Sequence, residues 1–494
     1  MRNPERLKLF LAVLYQFDGL ILDDSLIDKI CINIIKARLY KPTIISDYLK
    51  LAWKEGRELS DAEATKAFED NPQDHKEAGF DHGWPSRFDT WFKISKELGF
   101  VWYWPGEKIA FSDSGKLLID QDNPQNETLV FANAFAKYNR NNPFRGVLNT
   151  NTPLILLLET IKHLNDDPDY KGAGISKSEL PILLCWRDDD SIGLYKYIKS
   201  IRTKYGFTPS DEVVIEACRM LLDATKRSDN TLLTDYPDDF IRKMRLTGLI
   251  SIRGGGRFVD INKKEQNAVD YVLEAYHSID YSHQRNEKVF FEYIGQVDSI
   301  LAEKLGLKKP SEQDSVTELQ KWSEYYGWNA ISLELLILSN KRKSADPILM
   351  LIDQPLRLEF LTALAIFKQL PNVTVNPNYI SDDEGLPTSF AGGGMPDIEC
   401  IENGHGVLIE ATLLKGAQQH IRESFSVKRH LEEYLIKDDK AYSILLSPQT
   451  YIDTARHAAF SKAADNTDVR TLGIPRFVEL LSLQTSLSEL SEVL

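Results

Sequence analysis

Two acidic residues, Asp397 and Glu410, lie on either side of a short segment whose sequence predicts a β-hairpin. Alternating apolar residues before and after Asn403 and Gly404 predict two strands, and an Asn-Gly pair in this setting is a strong hairpin signal. With those two residues in the turn, Asp397 and Glu410 are directly opposite each other on one face. Directly opposed side chains have Cβ atoms ~4.5–5.5 Å apart, so the sequence predicts two neighbouring carboxylates.

Two negative charges at this separation destabilise a sheet unless a proton or a cation lies between them. Carboxylate oxygens are the ligands that Mg²⁺ prefers in proteins. We therefore expect Asp397 and Glu410 to bind Mg²⁺. This expectation depends on the register, because a slip of one residue would move one carboxylate to the other face of the hairpin.

Two further residues are candidates for the same site. Glu359 lies in a predicted helix, residues 355–370, and its neighbours one turn away are apolar. Burying an unpaired carboxylate there is costly, so Glu359 is either a paired structural residue or a further site carboxylate. His430 lies on a second predicted helix, residues 417–436. A single helix histidine is more often a surface or core residue, although its reference pKa of ~6.5 suits proton transfer.

The elements around these residues have a definite order. A helix is followed by a short strand at residues 373–377, the two hairpin strands, a second helix and an apolar strand at residues 441–447. Three glycines at residues 392–394 precede the hairpin. They either allow a phosphate to approach the backbone or form only a flexible loop.

This order resembles the core of the PD-(D/E)xK nucleases. Pro396-Asp397 matches the first half of that motif, and Glu410-Ala411-Thr412 matches the second half, with Thr412 in place of the usual lysine. Threonine cannot supply the charge of lysine, and we interpret Thr412 as an ordinary β-branched strand residue.

A more specific resemblance is to the AlwI-like type IIS restriction endonucleases and their nicking relatives, whose cores also lack that lysine. Four residues of this sequence have the spacing of that family's site: Glu359, Asp397, Glu410 and His430. The resemblance implies that Asp397, Glu410 and the carbonyl oxygen of Ala411 bind Mg²⁺, and that Glu359 assists. It implies that His430 orients or deprotonates the attacking water, or contacts the scissile phosphate.

The same resemblance implies a substrate and partners. The substrate would be double-stranded DNA with a short asymmetric site, of the GGATC or GAGTC kind, cut at a fixed offset outside that site. One chain is expected to cut one strand. Cutting the second strand would then need a transient homodimer or a small-subunit partner.

Basic residues cluster in two upstream segments. Residues 232–262 predict a helix followed by a hairpin, the order of a winged helix, and residues 84–115 have the same order. A basic helix with a basic wing suits a major groove and its phosphates, whereas the alternative for residues 194–207 is a solvated helix face. The predicted DNA-binding residues are Arg242, Lys243, Arg245, Arg253 and Arg257 in residues 232–262, and Lys196, Lys199 and Arg202 in residues 194–207.

Composition limits the class of protein. The 494-residue chain has a formal net charge of −14, which excludes a protein that coats nucleic acid over its whole surface but allows a local basic footprint. The four cysteines are widely spaced, which argues against a disulfide framework, and no apolar run reaches the ~18 residues of a membrane helix. We expect a cytoplasmic protein.

The chain is therefore predicted to be multidomain, with α+β and α/β parts. Residues 1–140 and 141–265 are two DNA-recognition subdomains of winged-helix type in a helical N-terminal region, and residues 266–347 are a helical linker. Residues 348–494 form a restriction-endonuclease-like cleavage domain with the order αβββαβ. Two alternatives stay open: a DNA-binding regulator with a non-catalytic nuclease-like domain, and a repair nuclease of the same core that is directed by DNA structure.

Overall fold

The computed structural model describes residues 7–55, 59–120, 122–145, 149–170, 173–222, 228–276, 286–483 and 486–487. In these ranges, the N-terminal half contains helices α1 Leu7–Tyr15, α2 Asp24–Lys36, α3 Asp47–Glu55, α4 Asp61–Glu69, α5 Trp84–Glu97, α6 Asp113–Ile119, α7 Asn126–Lys137, α8 Pro153–Asp166, α9 Leu180–Cys185, α10 Ser191–Tyr205, α11 Asp211–Leu222 and α12 Tyr236–Arg245. The following helices are α13 Gln266–Tyr276, α14 Glu287–Gly295, α15 Ser299–Lys304, α16 Glu312–Tyr325, α17 Trp328–Ser339, α18 Gln354–Gln369, α19 Ala417–Leu435, α20 Ile452–Asp465 and α21 Ile474–Leu481. None of these described helices is long and apolar enough to cross a membrane.

The strands form small antiparallel sheets in the N-terminal part and one larger mixed sheet in the C-terminal part, so the fold is a mixed α+β fold. The larger sheet has the order β12-β11-β10-β9-β6, in which β6, β9 and β10 are antiparallel and β10, β11 and β12 are parallel. The strands are β1 Val101–Trp102, β2 Ala110–Phe111, β3 Ile175–Ser176, β4 Ile250–Arg253, β5 Phe258–Ile261, β6 Thr374–Pro377, β7 Ile380–Ser381, β8 Pro387–Ser389, β9 Ile398–Glu402, β10 His405–Ala411, β11 Tyr442–Ser447 and β12 Val469–Gly473.

Strand β10 is the centre of the C-terminal sheet, and its apolar run Val407 to Ile409 is buried. Helix α18 packs on β6 and β10, and its residues from Leu356 to Ile366 are all buried. A helix that is apolar on nearly every side must be covered by other elements, and α16, α17 and α21 provide that cover. The predicted order of helix, strand, hairpin, helix and strand is present as α18, β6, β9, β10, α19 and β11.

The segment predicted as a helical linker, residues 266–347, is helical where it is described, and residues 277–285 lie outside the described residues. Its last two helices, however, pack on the C-terminal part, which contains α18 and the larger sheet. Trp322 of α16 meets Phe360 of α18 edge-on, with ring centroids 6.2 Å apart, and Lys368 Nζ donates to the carbonyl oxygen of Ser323 at 2.6 Å. The connection between the two parts is therefore residues 305–311, between α15 and α16.

A helix followed by an antiparallel hairpin occurs at both predicted places. Helix α5 precedes β1 and β2, and α12 precedes β4 and β5. Gly248, with φ of 72°, follows the end of α12, a conformation that favours glycine. We call α12, β4 and β5 the basic module, and its winged-helix interpretation stays a prediction.

Candidate active site

The hairpin register places Asp397 opposite Glu410. Strands β9 and β10 pair with Ile398 opposite Ile409 and Glu402 opposite His405. Continued by one residue, this register brings Asp397 beside Glu410, whose charge adds to burial in raising the pKa of Asp397. Asn403 and Gly404 form the turn with φ of 53° and 82°, the positive values that a two-residue type I′ turn requires. This is the register predicted from the sequence.

Asp397 is held by backbone on both sides. Its Oδ2 accepts a hydrogen bond from the amide of Ala411 at 2.7 Å. Asn378, which is 1% exposed and follows β6, donates its backbone N–H to the Asp397 carbonyl oxygen at 2.9 Å and its side-chain amide to that of Pro396 at 2.7 Å. The Pro-Asp segment is therefore fixed between two strands, because both of its carbonyl groups are bonded to one buried asparagine.

Glu410 and His430 form a buried pair. The distance between His430 Nδ1 and Glu410 Oε1 is 2.7 Å, and both side chains are 9% exposed. Burial, followed by the charge of Arg429, lowers the pKa of His430 below its ordinary value, which favours the neutral ring. With the proton on Nδ1 and donated to Glu410, the other ring nitrogen, Nε2, carries a lone pair. Nε2 is buried and has no hydrogen-bond partner among the described residues.

Glu359 reaches the same cluster from α18. It is 3% exposed, and its Oε2 is buried without a hydrogen-bond partner among the described residues. Burial, and then the charges of Asp397, Glu410 and Asp353, raises the pKa of Glu359 well above its ordinary value. Burial also raises the pKa of Asp397 and of Glu410, and for Asp397 the next cause is Glu410. The three carboxyl groups thus repel one another in a site of low polarity.

A fourth carboxyl group, Glu423, was given no role in the sequence reasoning. It lies on α19 two turns before His430, and its charge raises the pKa of Glu410. Thr412, at the position of the usual lysine, donates its hydroxyl to Glu423 Oε1 at 2.9 Å. Thr412 is thus more than a strand residue, since it connects the end of β10 to α19. The helical spacing of Glu423 and His430 was the available signal.

The start of α19 is fixed by Gln419, whose side chain is fully buried. Its Nε2 donates to the carbonyl oxygens of Leu414 at 3.2 Å and Gln449 at 3.1 Å, and its Oε1 accepts from the amide of Tyr451 at 2.8 Å. These bonds connect the helix to the loops after β10 and β11. They hold the face that carries Glu423 and His430 over the sheet.

The donor set suits Mg²⁺. Among the residues that the structure describes, no group of three or more His, Cys, Asp or Glu side chains has the arrangement of a complete protein-only metal site. Mg²⁺ does not require one, because it keeps several water ligands and usually binds one or two carboxylates. Asp397 and Glu410 supply two, and their repulsion and the unpaired Oε2 of Glu359 are the features that a cation would relieve.

Two predicted DNA-binding residues of α10 have partners within the protein. Arg202 forms a fully buried ion pair with Glu179, with Nε 2.7 Å from Oε1. The prediction that Arg202 contacts DNA is wrong for this structure, because the guanidinium group has no exposed surface. Lys199 Nζ lies 2.6 Å from Asp167, whereas Lys196 is exposed.

Predicted DNA-binding residues of the basic module also have partners within the protein. Arg245 is buried and pairs with Asp382, so its predicted contact with DNA is also wrong for this structure. Arg253 pairs with Asp383 and Glu384. The other members are Lys243, which pairs with Asp239 at 2.6 Å, Arg242, which is half-buried, and Arg257, which is exposed.

The glycine segment before Asp397 is packed against the N-terminal part. A Cβ atom at Gly393 would lie 1.9 Å from the carbonyl oxygen of Asp122, so only glycine allows this approach of two backbones. Of the two sequence interpretations, close approach is correct for Gly393, but to a backbone of the same chain.

Comparison with solved structures gives restriction endonucleases at low structural similarity. The small subunit R.BspD6I2 of the heterodimeric restriction endonuclease R.BspD6I is 27% identical over 33% of this chain and 84% of that chain, with a TM-score of 0.28. Two structures of the restriction endonuclease FokI, one of them bound to DNA, are 13% identical over 99% of this chain and 96% of theirs, with TM-scores of 0.26. No curated protein sequence matches the chain.

The family model of the AlwI restriction endonuclease matches residues 96–299 and 301–474. The matched ranges contain most of the chain, and they include Glu359, Asp397, Glu410 and His430. This chain therefore belongs to the AlwI family of restriction endonucleases.

Proposed function

We propose that this restriction endonuclease hydrolyses phosphodiester bonds of double-stranded DNA at a fixed offset outside a short asymmetric site, and that it requires Mg²⁺. The observation that carries the proposal is the opposition of Asp397 and Glu410 across the hairpin, with His430 bonded to Glu410 and Glu359 buried beside them. The order of elements around this cluster supports a PD-(D/E)xK core for the C-terminal part.

Asp397, Glu410 and the carbonyl oxygen of Ala411 would hold the Mg²⁺ ion. When bound, a divalent ion lowers the pKa of a coordinated water and offsets the negative charge that develops on the phosphate. Glu359 would assist through its unpaired Oε2, directly or through a water molecule. The Ala411 amide, by bonding Asp397 Oδ2, keeps the second oxygen of that carboxylate free to turn toward the cation.

His430 would orient or deprotonate the attacking water. Its Nδ1–H bond to Glu410 fixes the ring and the tautomer, in the way that a carboxylate orients a catalytic histidine. The lone pair on Nε2 is then available to accept a proton. A lowered pKa keeps this nitrogen unprotonated near neutral pH, which a general base needs.

DNA contact would come from exposed cations, which include Lys196 and Arg257. The chain carries one such cluster of site residues among its described residues. A second copy of the chain, or a small partner subunit with its own site, would therefore be needed to cut both strands. We also propose that the recognised site is of the GGATC or GAGTC kind, as the family resemblance implies.

The test is cleavage of a plasmid library of varied sequence with Mg²⁺, followed by sequencing of all ends. The proposal expects cuts at one offset from one short motif, no cuts in EDTA, and no cuts by the Asp397→Ala variant, which should still bind the same DNA. Scattered cuts would indicate a structure-directed nuclease. Absence of cutting at every sequence would indicate a DNA-binding protein without activity, and either result would overturn the proposal.

A further inference from the structure

An acidic turn projects from the cleavage sheet into the basic module. Between β6 and β9 the chain leaves the sheet and forms the hairpin β7–β8, whose turn carries Asp382, Asp383 and Glu384. We call these three residues the acidic turn. They are the partners of Arg245 and Arg253, two of the arginines that the sequence predicts to contact DNA.

The first contact is deeply buried. Arg245 Nη1 lies 3.0 Å from Asp382 Oδ2, with side-chain exposures of 5% and 0%, and Arg245 Nη2 donates to the carbonyl oxygen of Pro387 at 2.8 Å. Removing either partner of a buried ion pair leaves an uncompensated charge and is strongly destabilising. One arginine of α12 therefore holds the turn and strand β8 of the β7–β8 hairpin.

The second contact comes from the hairpin of the basic module. Arg253 lies 2.5 Å from Asp383 and 2.6 Å from Glu384, and the Ser251 hydroxyl donates to Asp383. Asn262 Oδ1 accepts from the Asp383 amide at 3.2 Å. Several hydrogen bonds with fixed directions thus set the orientation of one part relative to the other.

The docked hairpin is continuous with the site. Asn378, which holds Pro396 and Asp397, lies two residues before the start of β7. The glycine segment after β8 packs on the backbone of Asp122 through Gly393. The segments before β7 and after β8 are therefore both fixed by contacts. As a result, the position of Asp397 relative to the basic module is set by packed structure.

The covalent connection alone could not fix the position of the cleavage site relative to the basic module. The two parts are joined through residues 305–311, in which the amides of Gly306 and Leu307 donate to the Glu265 carboxylate. Without such contacts, a flexible segment of that length would have a reach of roughly 15 Å. Successive phosphates of one strand are ~3.4 Å apart along the helix axis, so a tethered but undocked site could meet about four of them. A single cut position needs a docked interface.

We propose that the acidic turn, through Arg245 and Arg253, sets the distance between recognition and cleavage and is thus a determinant of the cut position. These are positioning residues, and they do not touch the reacting groups. The inference rests on the proposed function, because it assumes that the enzyme cuts at one offset.

The experiment maps both ends of every cut on a DNA with one recognition site. The double variant Asp383→Asn/Glu384→Gln removes the partly buried charge pairs with Arg253 and keeps the fully buried Asp382. It should spread the cuts over neighbouring phosphates and reduce the share at the main position at least about twofold. The control Glu479→Gln removes an exposed carboxylate of the same part and should cut as the unaltered protein does.

A second variant tests the inference if the first does not fold. Four residues, Gly-Ser-Gly-Ser, are inserted after Lys309 in the exposed connection. If the interface of the acidic turn sets the cut position, the insertion leaves that position unchanged. If the connecting segment sets it, the insertion shifts or scatters the cuts. The inference is overturned if the folded turn variant keeps the single position, or if the insertion moves it. Scattered cutting by the unaltered protein would instead overturn the proposed function.

Discussion

The most informative single change is Asp397→Asn, which removes one charge from the carboxylate cluster. Asparagine has nearly the same shape and still accepts the hydrogen bond from the Ala411 amide. Two unit charges ~5 Å apart in an effective dielectric of ~20 repel by about 3 kcal/mol. Because raised pKa values let the cluster hold protons instead, we expect a net gain of about 1–3 kcal/mol in the free energy of unfolding without Mg²⁺.

The assay is thermal unfolding in EDTA and in Mg²⁺. A gain of about 1–3 kcal/mol corresponds, for a chain of this length, to a rise in Tm of roughly 1–3 °C, so Asp397→Asn should melt above the unaltered protein in EDTA. Mg²⁺ should raise the Tm of the unaltered protein by binding the folded state, and should have little effect on the variant. Cleavage should fall by at least about 1000-fold, which corresponds to about 4 kcal/mol of lost stabilisation.

The control is Glu479→Gln, which breaks an exposed pair with Arg476 at 2.8 Å. Such a pair contributes under about 1 kcal/mol, so its Tm and its response to Mg²⁺ should be those of the unaltered protein. The reasoning is refuted if Asp397→Asn melts below the unaltered protein in EDTA, or if both respond to Mg²⁺ equally.

Three further predictions concern Glu423, two exposed cations and Lys137. Glu423→Gln keeps an acceptor for Thr412 and removes a charge, and should slow cleavage about 10- to 100-fold without loss of Tm; unchanged cleavage would remove Glu423 from the site. The double variant Lys196→Ala/Arg257→Ala should reduce the magnitude of the slope of log K for DNA binding against log salt concentration by about 1.8. The control is Lys243→Ala, which removes a lysine that is already paired with Asp239. An equal slope for the double variant and this control would contradict the proposed DNA contact. Burial lowers the pKa of Lys137 from 10.5 to about 8, so the unfolded state binds more protons between these values. The stability of the unaltered protein relative to Lys137→Met should therefore rise from pH 8 to 10.5, by up to about 1.4 kcal/mol per pH unit, and a Tm difference that stays constant would argue against this.

The hairpin could be read from the sequence because its determinants are local. Asn403 and Gly404 specify the turn, and the alternation of apolar residues specifies which side of each strand faces the core. Together they place Asp397 opposite Glu410 without any knowledge of the rest of the chain. The order of helices and strands around the hairpin follows from periodicity in the same way.

The partners of Arg245 and Arg253 could not be read locally. A short basic helix with a basic hairpin has the same local pattern whether its cations face DNA or a protein carboxylate. The acidic turn that pairs with them lies more than a hundred residues later in the chain. Charge patterning shows where cations lie, and only tertiary packing shows which of them are already neutralised.

Helix packing was also beyond local reasoning. Glu423 enters the site because Gln419 fixes the start of α19 against two loops. Helices α16 and α17 join the cleavage part because α18 is apolar on nearly all sides and needs cover. Both outcomes depend on surfaces that distant segments of the chain provide.

The most direct measurement is a crystal of the protein soaked in Mn²⁺, which takes the same oxygen ligands as Mg²⁺ and can be located by its anomalous scattering. We expect one strong peak between Asp397 and Glu410, about 2.1 Å from an oxygen of each, and no peak there in Asp397→Asn crystals. A hairpin with the register described here and no metal between its two carboxylates at saturating Mn²⁺ would contradict the account.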